Sequence, residues 1–411
     1  MSVLHMTEQR AYTKTHPWIT FDVRLDTSPP AFWIALGECH SKCEHLAGTP
    51  LAPELDKHLH QVYLAKGVAA TTAIEGNTLS EEQVLQHIQG KLTVPPSQEY
   101  LKQEVDNIIQ GCNLILDEIK KGTQPPLSIE RIKRLNGIVL NKLAFDDPDI
   151  VPGQIRKHTV GVGTYRAAPA EDCEFLVSRL CEWLNGDVFH PKPGMELMYA
   201  IIRAIIAHIY IAWIHPFGDG NGRTARLIEV QILLSSGVPS PAAHLLSNHY
   251  NKTRTEYYRH LDTAKKDVLS FLSYAISGFR DGLRDEIEVL RFQQWEIAWV
   301  NHVHKMFDKL KGGPHNRRKY LVLDLSEQQA PVAFADLCEI SPRVAVAYKD
   351  RSYRTLLRDL KQLVQMDLIT IDENSGHWRA KKEAILAFLP VRASSKNNAE
   401  GSKNTEALPG E

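Results

Sequence analysis

The chain has 411 residues, of which 43% are hydrophobic, and its 48 Lys and Arg nearly balance its 49 Asp and Glu. This length suffices for two or three domains, each with a substantial core. The formal net charge of −1 argues against a global basic field that would attract nucleic acid or a membrane surface. No charged segment followed by an apolar run opens the chain, so we expect a cytoplasmic protein without a membrane partner.

The six cysteines are scattered and lie mostly in segments with helical periodicity, which favours reduced thiols in a cytoplasm. Cys39 and Cys43 stand near His40 and His45, a combination that could suggest zinc. No second ligand pair follows at the spacing of a zinc finger, so the sequence argues against such a site.

After a polar lead-in over residues 1–30, an amphipathic pattern leads to the segment Thr71–Asn77. Thr71 and Glu75 are four residues apart and therefore share one helix face. Gly76 predicts the end of this helix. The pattern thus predicts a carboxylate fixed at a helix end, although an ordinary helix-end glutamate would give the same pattern.

Further elements follow in chain order. Ser80 with Gln83 has the spacing of a helix-capping pair. The glycines and alternating valines between Pro152 and Arg166 predict a β-hairpin. Helices are predicted over Gln98–Lys120, Ser128–Leu143, Cys173–Asn185, onward to about Phe279, and over Asp281–Lys311.

The most informative segment is His215–Arg226, which follows an apolar helical pattern and reads His-Pro-Phe-Gly-Asp-Gly-Asn-Gly-Arg-Thr-Ala-Arg. Its Gly-Asn-Gly turn stands at the start of the next predicted helix, where successive backbone N–H groups can bind an anion. Arg223 and Arg226 lie three residues apart in that helix, and their planar guanidinium groups suit phosphate oxygens. These residues together predict a phosphate-binding site.

Two further side chains of the segment add chemistry to the phosphate site. Asp219 offers a carboxylate to Mg²⁺, a metal that commonly binds through one or two carboxylates plus substrate phosphates. His215 has a side chain whose pKa suits removal of a proton from a hydroxyl nucleophile. Each residue alone would more often be structural, but together they describe attack by a hydroxyl on a nucleotide phosphorus.

The whole segment resembles the signature of the Fic family, His-Pro-Phe-x-Asp/Glu-Gly-Asn-Gly-Arg-x-x-Arg, without departure at any specified position. The resemblance implies a mostly α-helical Fic core that transfers AMP from ATP to a Tyr, Ser or Thr hydroxyl of a protein and releases pyrophosphate. It implies that His215 is the catalytic base and Asp219 the Mg²⁺ ligand. The ATP-binding residues it implies are Gly220, Asn221, Gly222, Arg223 and Arg226.

Three other segments resemble parts of the same family. Thr71–Asn77 resembles the inhibitory motif Ser/Thr-x-x-x-Glu-Gly/Asn, which implies that Glu75 pairs with Arg226 and keeps the γ-phosphate of ATP from its productive position. The hairpin resembles the flap that aligns a target peptide as an added strand. Tyr257 lies in a segment that resembles the region near the adenine, with a core tyrosine as the alternative.

The C-terminal part resembles a winged helix. Helices are predicted over Arg317–Leu325 and Phe334–Glu339, and Ser352 begins a third. Two short strands flank the turn Glu373–Gly376. The apolar stripe of the third helix comprises Leu356, Leu357, Leu360, Leu363 and Val364.

The charge of this C-terminal part is nearly balanced, with twelve Lys and Arg against ten Asp and Glu between Pro314 and Pro390. DNA-binding domains usually show a clear basic face. The sequence therefore favours contact with protein or support of a homodimer over DNA binding, although the third helix carries Arg351, Arg354, Arg358 and Lys361 at helical spacing.

The sequence thus predicts a mostly α fold with a Fic-type helical core, a short β-hairpin flap and a small winged helix-turn-helix domain. The predicted divisions are an N-terminal helical region 1–110, a Fic core 111–284, a helical linker 285–313, a winged-helix domain 314–390 and a disordered tail 391–411.

The predicted function is that of an autoinhibited protein adenylyltransferase with Mg²⁺ as cofactor. Its partners would be ATP and a target protein with an exposed hydroxyl, which includes the chain itself. Alternatives are a DNA-binding regulator with a nucleotide-sensing core, and a Fic enzyme that uses another donor or removes AMP.

Overall fold

The computed structural model of the chain describes residues 10–50, 53–163 and 165–385. It is mostly helical, as predicted, and divides into two compact units between Glu288 and Val289. The predicted N-terminal region and core lie in the first unit, and the segment predicted as a linker falls almost entirely in the second. The predicted tail 391–411 lies outside the described residues.

The first unit is built from helices that are connected mostly by short turns. They are α1 Tyr12–Thr15, α2 Pro30–Ala47, α3 Pro53–Ile74, α4 Glu81–Ile88, α5 Glu99–Lys120, α6 Ile129–Val139, α7 Ala170–Leu184, α8 Glu196–Ile214, α9 Asn221–Ser235, α10 Leu245–Lys252 and α11 Arg254–Thr263. Helix α12, Val268–Phe307, crosses the division between the units. The predicted start of this helix at Asp281 was wrong, because no strong helix breaker separates Val268 from Asp281.

Helix α8 lies in the core of the first unit because it is apolar on nearly all sides. Its residues Ile201, Ile205 and Ile209 are fully buried. By length and hydropathy α8 could also cross a membrane, but 72% of the relevant window is buried inside the protein, as in the core helix of a soluble protein. This rigid core helix ends directly at His215.

The end of α3 is fixed by backbone hydrogen bonds. Gly76 has φ 102°, a conformation that glycine adopts without strain. The Asn77 N–H donates to the Thr72 carbonyl at 3.1 Å, which closes the helix end. Helix α4 then begins at Ser80, whose predicted capping box with Gln83 is confirmed.

The predicted hairpin is present in the first unit. Strands β1, Gly161–Val162, and β2, Tyr165–Arg166, pair antiparallel. Thr164, at the turn, lies outside the described residues. The hairpin reaches the functional region through Tyr165, whose hydroxyl donates to the Trp213 carbonyl near the end of α8 at 2.7 Å.

The second unit contains three further helices and a second hairpin. They are α13 Gly313–Ser326, α14 Pro342–Tyr348, α15 Tyr353–Gln365, β3 Ile369–Ile371 and β4 Trp378–Ala380. Strands β3 and β4 pair antiparallel, and Val332 forms an isolated bridge to Trp378. This order of elements is the one that the winged-helix prediction specified, and the assignment itself stays a prediction.

Two details predicted for the second unit were wrong. The segment Phe334–Glu339 forms only a short 3-10 turn over Phe334–Asp336, and the second helix begins at Pro342. Ser341 caps it by accepting a hydrogen bond from the Val344 N–H, and proline suits the first helical position. On α15, Leu357 and Val364 are exposed because the core-facing stripe is narrower than predicted.

Candidate active site

The predicted functional segment borders a cavity of about 430 Å³ in the first unit. Its walls come from the end of α3, strands β1 and β2, the end of α8, the loop into α9, and α11. The residues that line these walls include Glu75, Tyr165, His215, Asp219, Gly222 and Tyr257. The structure therefore brings the segment Thr71–Asn77, the hairpin and the signature together around one space.

His215 ends α8 in the left-handed conformation, with φ 50°. Its N–H donates to the Ile211 carbonyl at 2.9 Å, so the residue completes the last helical turn while its ring turns into the cavity wall. A left-handed histidine is uncommon and is kept only where the surroundings fix it.

Arg156 supplies that fixation. This buried side chain donates from Nε to the His215 carbonyl at 2.7 Å, and from its Nη atoms to the carbonyls of His158 at 2.7 Å and Ala168 at 2.5 Å. Its backbone N–H donates to the Pro216 carbonyl at 2.9 Å. One guanidinium thus ties the segment before the hairpin to the end of α8.

The environment of His215 keeps its imidazole neutral. Burial lowers the pKa of His215 to about 4, and the Arg156 guanidinium adds to this lowering. The carboxylates of Glu75 and Asp219 act in the opposite direction but do not prevail. A neutral imidazole at pH 7 is the form that can accept a proton.

The loop after His215 is held by Asn221. Its side-chain Oδ1 accepts from the Phe217 N–H, and its Nδ2 donates to the Phe217 carbonyl, both at 2.9 Å. Phe217 itself is 1% exposed and anchors the loop in the core. The amide of Asn221 is therefore engaged in holding the loop, and its backbone N–H lies in the first turn of α9.

Gly220 begins α9 with φ 73°. A side chain there would also collide with its surroundings, since a Cβ atom would lie 2.8 Å from Leu140 Cδ2 and 3.1 Å from Val139 Cγ1. Asn136 supports the same turn by donating from Nδ2 to the Asp219 carbonyl at 3.0 Å. Only glycine fits both the backbone conformation and the space at this position.

Asp219 lies at the cavity with its side chain 44% exposed. Its Oδ1 accepts from the Gly220 N–H at 2.6 Å, and its Oδ2 lies 3.3 Å from Arg223 Nη2. Among the described residues, no group of three or more His, Cys, Asp or Glu side chains could hold a metal ion. A divalent cation here would thus bind one carboxylate and take its remaining ligands from substrate and water.

Arg223 is tied to a carboxylate that the sequence did not single out. Its Nη1 donates to Glu104 Oε1 at 2.8 Å, and the arginine is 4% exposed. The other oxygen of Glu104 accepts from Asn77 Nδ2 at 2.8 Å. Since Asn77 is the last residue of the segment Thr71–Asn77, Glu104 links that segment to the first arginine of the signature.

Arg226 is paired with the segment Thr71–Asn77 itself. Its Nη2 donates to Glu75 Oε1 at 2.6 Å and to the Thr71 carbonyl at 2.9 Å. The side chain is 1% exposed, and its Nε and Nη1 have no hydrogen-bond partner within the described residues. A phosphate oxygen could therefore satisfy Arg226, and the Glu75 carboxylate already occupies part of its donor set.

The Glu75 carboxylate also fills the space beside Gly222. A Cβ atom at Gly222 would lie 2.3 Å from Glu75 Oε1 and 3.2 Å from Arg226 Nη1. The absence of a side chain at Gly222 thus provides the room in which the carboxylate reaches the arginine. Desolvation in the cavity would raise the pKa of Glu75, but attraction to Arg226 outweighs it, and the net pKa is lowered.

Tyr257 lies on the cavity wall and is 4% exposed. Its hydroxyl is hydrogen-bonded to His208 Nε2 at 2.9 Å. His208 Nδ1 lies 3.1 Å from Glu229 Oε2, and Glu229 Oε1 accepts from the Tyr250 hydroxyl at 2.9 Å. This buried network of four side chains, which sequence reasoning missed, sets the orientation of the Tyr257 ring.

Comparison with known proteins gives these observations a family context. A family model described as Fic/DOC family matches residues 126–233. Protein adenylyltransferase fic-1 of Caenorhabditis briggsae is 31% identical over 205 residues, which are 50% of this chain and 37% of that protein. Protein adenylyltransferase Fic of Culex quinquefasciatus is 28% identical over 222 residues, 54% and 40% of the two chains. The chain spans less than half the length of these curated relatives.

Solved structures give a concordant result. A Fic family protein from Desulfovibrio desulfuricans has a TM-score of 0.51 at 21% identity, covering 86% of this chain and 97% of that one, which shows a likeness of fold. Fic-1 from Caenorhabditis elegans has a TM-score of 0.51 at 26% identity, covering 64% of this chain and 74% of that one. The resemblance to the Fic family predicted from the sequence is confirmed.

Proposed function

We propose that this chain, whose residues 126–233 form a Fic domain, is an autoinhibited protein adenylyltransferase that moves AMP from ATP to a Tyr, Ser or Thr hydroxyl of a protein. Two relatives that it matches over half of its length are named protein adenylyltransferases. The observation that carries the proposal is the placement of the Glu75–Arg226 ion pair and His215 around one cavity.

In the proposed step the target hydroxyl oxygen attacks the α-phosphorus of ATP. An oxygen–phosphorus bond forms to the hydroxyl oxygen, the bond from the α-phosphorus to the bridging oxygen breaks, and pyrophosphate leaves. The hydroxyl proton passes to the neutral imidazole of His215, whose lowered pKa of about 4 keeps it unprotonated at neutral pH.

The N-terminal end of α9 is suited to hold the phosphates. Its first N–H groups and the guanidinium of Arg223 present positive charge to the cavity region, as helix N-termini do in other phosphate sites. Asp219 would hold Mg²⁺, which would neutralise phosphate charge when bound. The exposed carboxylate of Asp219 fits that role because substrate oxygens can complete the coordination.

The autoinhibition follows from competition for one guanidinium. Glu75 occupies Nη2 of Arg226 and the space beside Gly222, both of which a terminal phosphate would need. Binding of ATP in a productive position would therefore require the Glu75 carboxylate to move. The cost of this displacement is a coupling free energy, typically about 1–3 kcal/mol for such linked sites.

The reaction class can be tested by isotope labelling. Purified wild type and Glu75→Gly are incubated with Mg²⁺ and ATP labelled at either the α- or the γ-phosphate, and labelled protein is measured, including the chain itself. We expect label from α-labelled ATP only, and more of it in Glu75→Gly. Label from γ-labelled ATP alone would identify a kinase, and the absence of label in Glu75→Gly would contradict the proposed activity.

A further inference from the structure

Helix α15 of the second unit has a buried face that fixes its orientation. Leu360 and Leu363 are 1% and 0% exposed and belong to the core of this unit. Asp359, also buried, accepts from Arg317 Nε at 2.7 Å and from Arg318 Nε at 2.8 Å. Because these contacts hold one side of the helix, its opposite side faces away from the core of the second unit.

That opposite side, together with the turn that precedes the helix, carries four exposed cations that have no carboxylate within 4.0 Å in the described part of the chain. They are Arg351, Arg354, Arg358 and Lys361, and we call them the α15 cations. Most other cations of the same unit after Pro314 are paired with acids. The paired ones are Arg317, Arg318, Arg343, Arg379, Lys381 and Lys382.

The total charge of this part of the sequence is nearly balanced, but four of its unpaired cations lie together on and just before α15. Four of the acids, Asp324, Asp359, Asp367 and Glu383, are paired with other cations, and no described acid lies within 4.0 Å of an α15 cation. A group of uncompensated cations on one helix attracts a polyanion.

The local geometry favours a duplex. Helices α14 and α15 are joined by the four residues 349–352, the length of the turn in helix-turn-helix motifs. In those motifs the second helix enters the major groove, with its N-terminal residues at the base edges. From Arg354 to Lys361 the helix rises about 10 Å, within reach of a groove about 12 Å wide.

Two exposed apolar side chains lie among the cations. Tyr353 is 65% exposed and Leu357 is 42% exposed. Apolar side chains on a recognition helix can contact the methyl groups of thymine.

We propose that the exposed face of α15 binds double-stranded DNA, with the α15 cations contacting phosphates and base edges. This inference concerns the second unit and is independent of the activity proposed for the Fic domain. It would make the chain a DNA-associated protein, whatever reaction its first unit catalyses.

The test compares two double variants of the full-length chain that each lose two exposed cations. Arg354→Ala/Arg358→Ala removes the centre of the α15 face, and Lys305→Ala/Lys309→Ala is the matched control at the end of α12. Binding to a fluorescent mixed-sequence duplex of about 30 base pairs is measured by anisotropy over a range of salt concentrations. Circular dichroism verifies that both variants are folded.

We expect the α15 variant to bind at least about tenfold more weakly than wild type, and the magnitude of the slope of log K against log salt to fall by about 2. The control variant should change either quantity much less. Equal weakening in both variants, or no binding by wild type at low salt, would overturn the proposal. Unchanged DNA binding together with reduced self-association of the α15 variant in sedimentation would identify the face as a protein interface instead.

Discussion

The basic residues of two regions differ in what they contact. Around the cavity, Arg223 and Arg226 are buried, and each is paired with a carboxylate of the same chain. The α15 cations are exposed, and within the described residues none of them has a carboxylate within 4.0 Å. Both regions are suited to bind phosphate. The arginines of the first region are already paired with carboxylates of the protein, whereas the cations of the second region are exposed to solvent.

This difference has a physical basis. A buried guanidinium must be paired, because an uncompensated charge in the interior is costly. A phosphate site in the core therefore needs an internal anion whenever its ligand is absent, and Glu75 provides one at Arg226. Exposed cations are solvated by water and need no such partner.

The largest expected effect tests whether the cavity beside the paired arginines is a reaction centre. In the Glu75→Gly background, His215→Ala should lower AMP transfer by about 10²–10⁴-fold, because the hydroxyl loses its base. ATP binding, measured with a fluorescent analogue, should change little, since the imidazole acts on the nucleophile. Transfer within about threefold of the background would remove His215 from the mechanism and leave the cavity as a binding site only.

A second substitution tests the metal. Asp219→Ala should weaken Mg²⁺-dependent transfer by about tenfold or more, and raised Mg²⁺ should restore part of it, because phosphates and water can still ligate the ion. The measurement is initial rate against Mg²⁺ concentration. A rate that is indifferent to chelator before and after the substitution would contradict the assignment.

A third substitution tests the ion pair between Glu104 and Arg223. Glu104→Gln keeps the shape of the side chain but removes the charge that holds Nη1 of Arg223. We expect a loss of about 1–3 kcal/mol in the free energy of unfolding, because a buried guanidinium loses a charged partner. Chemical denaturation measures it, with the exposed Glu99→Gln on the same helix as control. Equal stability of the two variants would show that Glu104 does not hold the arginine.

The smallest expected effect is a lowered titration midpoint of the His215 imidazole, measured in the functional protein. Burial lowers the pKa of His215 to about 4, so its imidazole should remain neutral as pH falls through about 6.5, where an ordinary histidine protonates. NMR of histidine-labelled protein follows this ring, with His215→Ala providing the assignment. A midpoint at or above about 6.5 would show that the ring is more solvated than the structure indicates.

The sequence predicted the residues of the cavity that are contiguous in the chain. The signature from His215 to Arg226 is contiguous, so its proposed base, its carboxylate and its arginines could be located in the sequence. Glu104 and Asn136 lie on distant helices and carry no local signal, because a single carboxylate or amide on an amphipathic helix resembles a solvated side chain.

The distribution of charge in the second unit also could not be predicted from the sequence. Counting residues predicted a nearly neutral domain. The count does not show which acids form buried ion pairs with particular cations, as Asp359 does with Arg317. Likewise, the start of α14 depends on the Ser341–Pro342 cap, a local signal that competes with the apolar segment beginning at Phe334.

The central claim is that Glu75 inhibits by occupying Arg226, and one set of four proteins tests it. Self-labelling from α-labelled ATP is measured for wild type, Glu75→Gly, Arg226→Ala and the double variant. We expect Glu75→Gly to exceed wild type by about 5–150-fold, and Arg226→Ala and the double variant to be equally low because both lack the phosphate ligand. Labelling in Glu75→Gly that is unchanged or reduced would contradict the account.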